Sequence, residues 1–254
     1  RLVGSEMCIR DSINTARGIL LNNSTKKKEV VFILSAMRSG STLLKSLLAT
    51  ASDISHLPEI DFTKYPSNKY GFNDCVEKLS DKPIIVLKKP IWHKEKLDNK
   101  WWNARINENR KVIVLIRNPY DTIQSILKMP HEHYNKISKS DWLDYWCDTY
   151  ENLYQTLIKK NDKAIIIRYE ELTSSPIPTT KKIFSFINSN TQQGIDNYEK
   201  PKSFSWKWGK DDNSKLLKSL KVQKRTLPKN DSELSELINS NPRVDKIEMV
   251  FGYV

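Results

Sequence analysis

Glu29-Val30-Val31-Phe32-Ile33-Leu34-Ser35-Ala36-Met37-Arg38-Ser39-Gly40-Ser41-Thr42-Leu43-Leu44 runs from an apolar block through a small polar loop into a second apolar pattern at helical spacing. The unbroken apolar run from Val30 to Leu34 suits a central parallel strand, and Ser39 to Thr42 are small or hydroxylated residues whose backbone N–H groups can converge at the start of the next helix. Such an arrangement cradles a phosphate. A nucleoside-triphosphate cradle would read G-x-x-x-x-G-K-[ST], with the Lys on the outer phosphates and the hydroxyl on Mg²⁺. Here Ser35 stands at the first Gly position, Ser41 stands at the Lys position, and Arg38 is the cation of the loop. The expected ligand is an anionic nucleotide other than ATP with magnesium.

The chain has 254 residues, enough for one well-buried domain. Its 42 Lys and Arg against 30 Asp and Glu give +12, which favours a polyanionic partner, although pairs such as Lys159-Lys160 and Lys181-Lys182 are also what solvated helix faces carry. Nucleic acid is not expected, because the basic residues are not interleaved with aromatics in any compact segment. Residues 1–12 (RLVGSEMCIRDS) resemble the in-frame translation of a sequencing-library adapter and are expected to be a non-native scar, followed by a polar lead-in over residues 13–28 and the domain proper over 29–254. Setting the scar aside leaves Cys75 and Cys147, too few for a disulfide framework, a pattern that fits a reducing compartment at least as well as an oxidising one. The expected location is the cytoplasm, the alternative being a Golgi-type lumen with an anchor lost upstream. No apolar run of membrane-spanning length is present in the sequence given.

Strands are expected at Val30 to Leu34, Pro83 to Leu87, Val112 to Ile116 and Ala164 to Ile167, each a short β-branched run, with helical segments between them. That alternation predicts a single α/β domain whose mostly parallel sheet is covered on both faces. Trp142, Leu143, Trp146, Tyr150, Leu153, Tyr154 and Leu157 fall at helical spacing and predict a core-facing helix from Lys139 to Ile158. A further helix is expected from Pro178 to Ile187, and two amphipathic pieces between Ser214 and Ile238. Residues 55–81, rich in Pro, Asn, Asp and Tyr, are a candidate substrate-facing loop.

A second signal follows the third strand in Ile116-Arg117-Asn118-Pro119-Tyr120-Asp121-Thr122-Ile123-Gln124-Ser125. Pro119 suits the first turn of a helix and Ser125 lies about two turns on, so Arg117 and Ser125 both belong at the carboxyl end of the sheet, where doubly wound folds bind nucleotides. A guanidinium and a hydroxyl make a clamp for a dianionic phosphate. The plainer alternative pairs Arg117 with Asp121.

Arg38-Ser39-Gly40-Ser41-Thr42-Leu43, then Arg117-Asn118-Pro119 with Ser125, then Arg168-Tyr169-Glu170-Glu171-Leu172, resemble in order and spacing the sulfotransferases that use 3′-phosphoadenosine 5′-phosphosulfate (PAPS). The likeness is to the tyrosylprotein, carbohydrate-type and bacterial-like branch rather than to the cytosolic small-molecule enzymes. It implies a P-loop-like three-layer α/β/α fold, PAPS as co-substrate without a metal, and a hydroxyl acceptor: a carbohydrate, a peptide tyrosine or a small molecule. It further implies that Arg38, Ser39, Gly40, Ser41 and Thr42 hold the 5′-phosphosulfate, that Arg117 and Ser125 hold the 3′-phosphate, and that Tyr169 sits near the adenine.

The same resemblance implies a base at Glu59, in His56-Leu57-Pro58-Glu59, able to take the proton of an attacking hydroxyl. It implies that Lys88, in Leu87-Lys88-Lys89-Pro90 at the end of the second strand, stabilises the leaving phosphate together with Arg38. Lys89 competes for that role, since strand alternation lets one of the pair face the site. Lys210, in Trp206-Lys207-Trp208-Gly209-Lys210, is a further candidate phosphate ligand, standing where the cytosolic enzymes carry an Arg-Lys-Gly element. His93 lies in the wrong context for those enzymes' catalytic histidine and reads, with His131 and His133, as a surface residue. No His or Cys cluster has metal spacing. Two other readings stay open on sequence: a nucleotide kinase-like enzyme, which the missing Lys disfavours, and a non-catalytic polyanion-binding protein on the same fold.

Overall fold

The computed structural model describes residues 28–55, 57, 75–92, 110–129, 134, 136–159, 162–199, 219–224 and 230–253. In chain order these form β1 (Glu29–Ala36), α1 (Ser41–Leu48), β2 (Ile84–Ile91), β3 (Lys111–Ile116), α2 (Pro119–Leu127), α3 (Lys139–Leu153), β4 (Ala164–Arg168), α4 (Tyr169–Ser174), α5 (Pro176–Phe186), α6 (Ser232–Asn239) and α7 (Pro242–Phe251). The strands lie in the order β2-β1-β3-β4, and every pair is parallel. The most apolar strand, β1, therefore sits inside the sheet, where both of its edges and both of its faces are covered.

Alternation along β1 divides the core into two layers. Val31 and Ile33 pack with Leu43, Leu44 and Leu47 of α1 and with Ile183 and Phe184 of α5. Val30, Phe32 and Leu34 pack on the opposite face with Ile123 of α2, Trp142 and Trp146 of α3, Leu234 of α6 and Ile247 of α7. The result is the expected three-layer α/β/α arrangement. Trp142, Trp146 and Tyr150 are fully buried, and burying an aromatic or large aliphatic side chain of this kind contributes roughly 1.5–3 kcal/mol.

Local chemistry starts the helices that matter for the site. Asn118 caps α2, its side chain accepting from the Asp121 N–H at 2.8 Å, and Pro119 occupies the first turn. Ser138 caps α3 by accepting from the Asp141 N–H at 3.0 Å. Beyond Leu153 the helix loosens into a π turn, Tyr154–Ile158, so the expected segment to Ile158 is a single rod with a changed register at its end.

Two expectations need correction. The second strand does not end at Leu87: β2 runs on to Ile91, with Ser35 opposite Pro90 and Ala36 opposite Ile91. A proline fits there because β2 is at the end of the strand order and, among the described residues, no second strand pairs with it at Pro90. The helix expected at Pro178 starts earlier, at Pro176, since a proline in the first turn continues a helix as readily as it opens one. Of the tail pieces, α6 is described and is followed by α7, while residues 200–218 and 225–229 lie outside the described residues.

Candidate functional site

The loop between β1 and α1 is built on left-handed backbone. Arg38 has φ 61° and Gly40 has φ 92°, and Gly40 is the N-cap residue of α1 without a side-chain cap bond. The first N–H groups of α1 thus open onto the carboxyl end of the sheet, with the positive end of the helix dipole behind them. Holding a non-glycine residue at positive φ costs on the order of 1–2 kcal/mol, and here it turns the Arg38 side chain out while Ser39 stays fully buried.

Three separated pieces of sequence meet on this loop. The Arg38 Nε donates to Ser125 Oγ on α2 at 3.2 Å. Arg117, leaving the end of β3, donates through Nη1 to the Arg38 carbonyl at 3.2 Å, while its Nη2 stands 3.6 Å from Asp121 Oδ2. The ion pair weighed on sequence is therefore present, and the same guanidinium also reaches the loop through the Arg38 carbonyl. The Arg117 guanidinium lies over the Tyr169 ring at 4.5 Å from its centroid, and that same ring covers Gly40 so closely that a Cβ added there would come within 2.5 Å of Tyr169 Cε2. From β2, Lys88 Nζ donates to Thr42 Oγ1 at 2.9 Å.

Register explains why Lys88 and not Lys89 reaches α1. Lys88 is opposite Ile33 and Lys89 opposite Leu34, and Ile33 faces the α1 layer whereas Leu34 faces the α3 layer. Both lysines are buried, so the choice rests on the face and not on depth. Ser41 is buried at the first position of α1. Glu59 and Lys210 lie outside the described residues, as do His93, His131 and His133. Among the described residues no group of three or more His, Cys, Asp and Glu side chains is placed to hold a metal ion, and no helix is long and apolar enough to cross a membrane.

A family model described as the sulfotransferase domain matches residues 28–231. The chain belongs to the sulfotransferase domain family. Among solved structures it is similar to the sulfotransferase domain from the curacin biosynthetic pathway, at 19% identity and TM-score 0.56 over 89% of this chain and 98% of that one. It is also similar to the sulfotransferase domain of the Synechococcus PCC 7002 olefin synthase, at 17% identity and TM-score 0.53 over 92% of this chain and 99% of that one. A sulfotransferase from Alicyclobacillus acidocaldarius aligns at 14% identity and TM-score 0.53, over 88% of this chain and 96% of that one. At these identities the likeness concerns the fold. No curated protein matches the chain.

Several residues that shape this sulfotransferase site carried no assigned role on sequence. Glu170 joins the second and third motifs: its Oε1 accepts from the Asn118 backbone N–H at 3.0 Å and from Asn118 Nδ2 at 2.7 Å, and its Oε2 accepts from Tyr253 at 2.7 Å. Burial and the nearby Glu170 charge push the Tyr253 phenol well above its ordinary value, keeping it a neutral donor. Lys45, buried within α1, donates to the Leu57 carbonyl at 2.7 Å and ties down the chain two residues before Glu59. A lysine inside the apolar run Leu43-Leu44-Lys45-Ser46-Leu47-Leu48 was the available signal, since a buried ammonium needs acceptors. Tyr145 and Tyr150 of α3 bond to the loop itself. The sequence placed Tyr150 in a core stripe, but a buried phenol also needs partners for its hydroxyl.

Proposed function

We propose that this sulfotransferase transfers a sulfuryl group from PAPS to an acceptor hydroxyl by in-line displacement. The observation that carries the reading is the convergence of Arg38, Arg117, Ser125 and Tyr169 on the mouth of α1. Its donor set suits a nucleotide with two separated anionic groups: two guanidiniums, an ammonium, hydroxyls and a helix N-terminus, with Asp121 occupied as the partner of Arg117. Lysine is absent from the position beside Thr42, where a γ-phosphate clamp would stand, and sulfuryl transfer requires no such clamp.

In this reading Arg117 and Ser125 hold the 3′-phosphate, and Ser39, Gly40, Ser41 and Thr42 offer backbone N–H groups to the 5′ end. Tyr169 presents its ring to the adenine side, and Lys210 adds a cation from the C-terminal region. PAPS supplies an activated sulfuryl group whose bridging oxygen gains charge as it leaves. In this reading Arg38 and Lys88 neutralise that charge, a role for Lys88 supported by its Nζ standing 2.9 Å from Thr42 Oγ1 at the start of α1. Glu59 accepts the acceptor's hydroxyl proton. The acceptor is a carbohydrate, a peptide tyrosine or a small molecule bound against Glu59. Cys75 and Cys147 are free thiols, which supports work in the reducing cytoplasm.

The test is calorimetry with PAP, the desulfated donor, followed by turnover. The wild-type chain is expected to bind PAP, Arg117→Ala to bind it at least tenfold more weakly, as loss of a charge-assisted hydrogen bond requires, and Glu59→Gln to bind it normally while losing turnover. Failure of the wild type to bind PAP or PAPS refutes the reading. Salt-sensitive polymer binding that survives Glu59→Gln, with no turnover by the wild type, would make the chain a polyanion binder instead.

A further inference from the structure

Two tyrosines of α3 reach across the core to the anion loop. The Tyr145 hydroxyl accepts from the Met37 N–H at 2.6 Å and donates to the Ile91 carbonyl at 2.5 Å, so it joins the loop to the end of β2. The Tyr150 hydroxyl accepts from the Ala36 N–H at 3.3 Å, donates to the Leu115 carbonyl at 3.0 Å, and lies 2.9 Å from Ser39 Oγ. It therefore joins the loop to the end of β3. The arrangement spans 108 to 114 residues of sequence between α3 and the loop, and it lies inside the molecule: Tyr150 and Ser39 are fully buried and Tyr145 nearly so.

Proton counting adds a further constraint. A phenol has one proton, and a carbonyl can only accept. The Tyr150 proton goes to Leu115, so the Ser39 hydroxyl must be the donor in the Ser39–Tyr150 bond. Its proton points into the core and away from the mouth of α1. We propose that Tyr145 and Tyr150 are positioning residues that hold the loop in its anion-binding shape, and that Ser39 offers a bound phosphosulfate its backbone N–H and not its hydroxyl. This assignment rests on the PAPS reading above, and it separates Ser39 from Thr42, whose hydroxyl faces Lys88.

The test uses the full chain, with PAP as the probe. Tyr145→Phe and Tyr150→Phe are each expected to bind PAP about tenfold more weakly, the effect of leaving one buried loop N–H without its partner. Leu153→Ala, a buried position on the same helix with no bond to the loop, should lower the melting temperature and leave PAP affinity unchanged. Ser39→Ala, which leaves the Ala36 N–H its partner, should weaken PAP binding by less than Tyr150→Phe, and the double variant should lose nothing beyond Tyr150→Phe alone. Tyrosine variants that melt early but bind PAP as the wild type does would reduce both residues to core packing and overturn the proposal. A double variant that loses the product of the two factors would place the Ser39 hydroxyl on the ligand and overturn the second half. A wild type that binds no PAP removes the donor reading. Amide exchange at Ala36 and Met37 still decides the bracing in that case, because it must rise in the phenylalanine variants with or without ligand.

Discussion

Gly40→Ala is the sharpest probe of how the site is assembled, because two independent costs meet at one atom. Alanine at φ 92° sits in the left-handed region, at a cost of about 1–2 kcal/mol. Its Cβ would also lie within 2.5 Å of Tyr169 Cε2 and closer still to Cδ2, so the ring must leave its place over the loop. Displacing the ring breaks its stacking with the Arg117 guanidinium, worth about 0.5–1 kcal/mol. The expected loss is roughly 1.5–3 kcal/mol, and a domain of this size loses about 2–4 °C of Tm per kcal/mol, so Tm should fall by roughly 3–12 °C. The decisive assay is a thermal-melt cycle with Tyr169→Ala. In that background the clash is gone and only the backbone cost of about 1–2 kcal/mol should remain. PAP affinity should collapse in Gly40→Ala with Tyr169 present and recover in part when the ring is removed. Equal losses of stability in the two backgrounds would refute the idea that glycine is required by the approach of Tyr169.

Three further outcomes are expected. Lys88→Met should cut turnover, measured as PAP released from PAPS, by about 10²–10³ as for loss of one charge-stabilising donor, while Lys89→Met, on the α3 face, should act on Tm instead. Burial raises the Tyr150 phenol above its ordinary 10.0, against the opposing effect of its bonds from Ser39 and Ala36. The stability this confers is complete below pH 10 and is lost as pH rises from there towards the folded value, by up to about 1.4 kcal/mol per pH unit. Urea unfolding of Tyr150→Phe between pH 9 and 11 should accordingly show a shallower alkaline fall than the wild type. Burial also pushes the Cys147 thiol up to about 12, so Ellman's reagent at pH 8 should label half-buried Cys75 in the native protein and reach Cys147 only on unfolding.

The parallel sheet was legible because β1, the first half of β2 and β3 carry unbroken apolar runs, and such runs have no solvated face to offer. The cradle was legible for a related reason: Ser39, Gly40, Ser41 and Thr42 are small and contiguous, and the chemistry of a phosphate loop lies largely in its backbone. Strand ends were less legible. Lys88, Lys89 and Pro90 read as the exit from β2, yet the strand continues through them, because an end-of-sheet position tolerates a proline and Lys88 finds Thr42 on α1. The roles of Tyr145, Tyr150 and Glu170 were hidden because hydrogen bonds across the sheet leave no period or spacing in the chain.

Local sequence was enough for the elements, their alternation, and the kinds of side chain gathered for an anion, since these follow from apolar pattern, turn chemistry and residue type. Which of two adjacent lysines faces α1, that Arg117 pairs with Asp121, and which groups share the Tyr150 hydroxyl were decided only when the strands were in register and α3 lay across them. Those are questions of direction and of shared partners. A hydroxyl with one proton, or a carboxylate with a fixed number of lone pairs, is committed by its neighbours in space, and those neighbours come from elements up to 114 residues away.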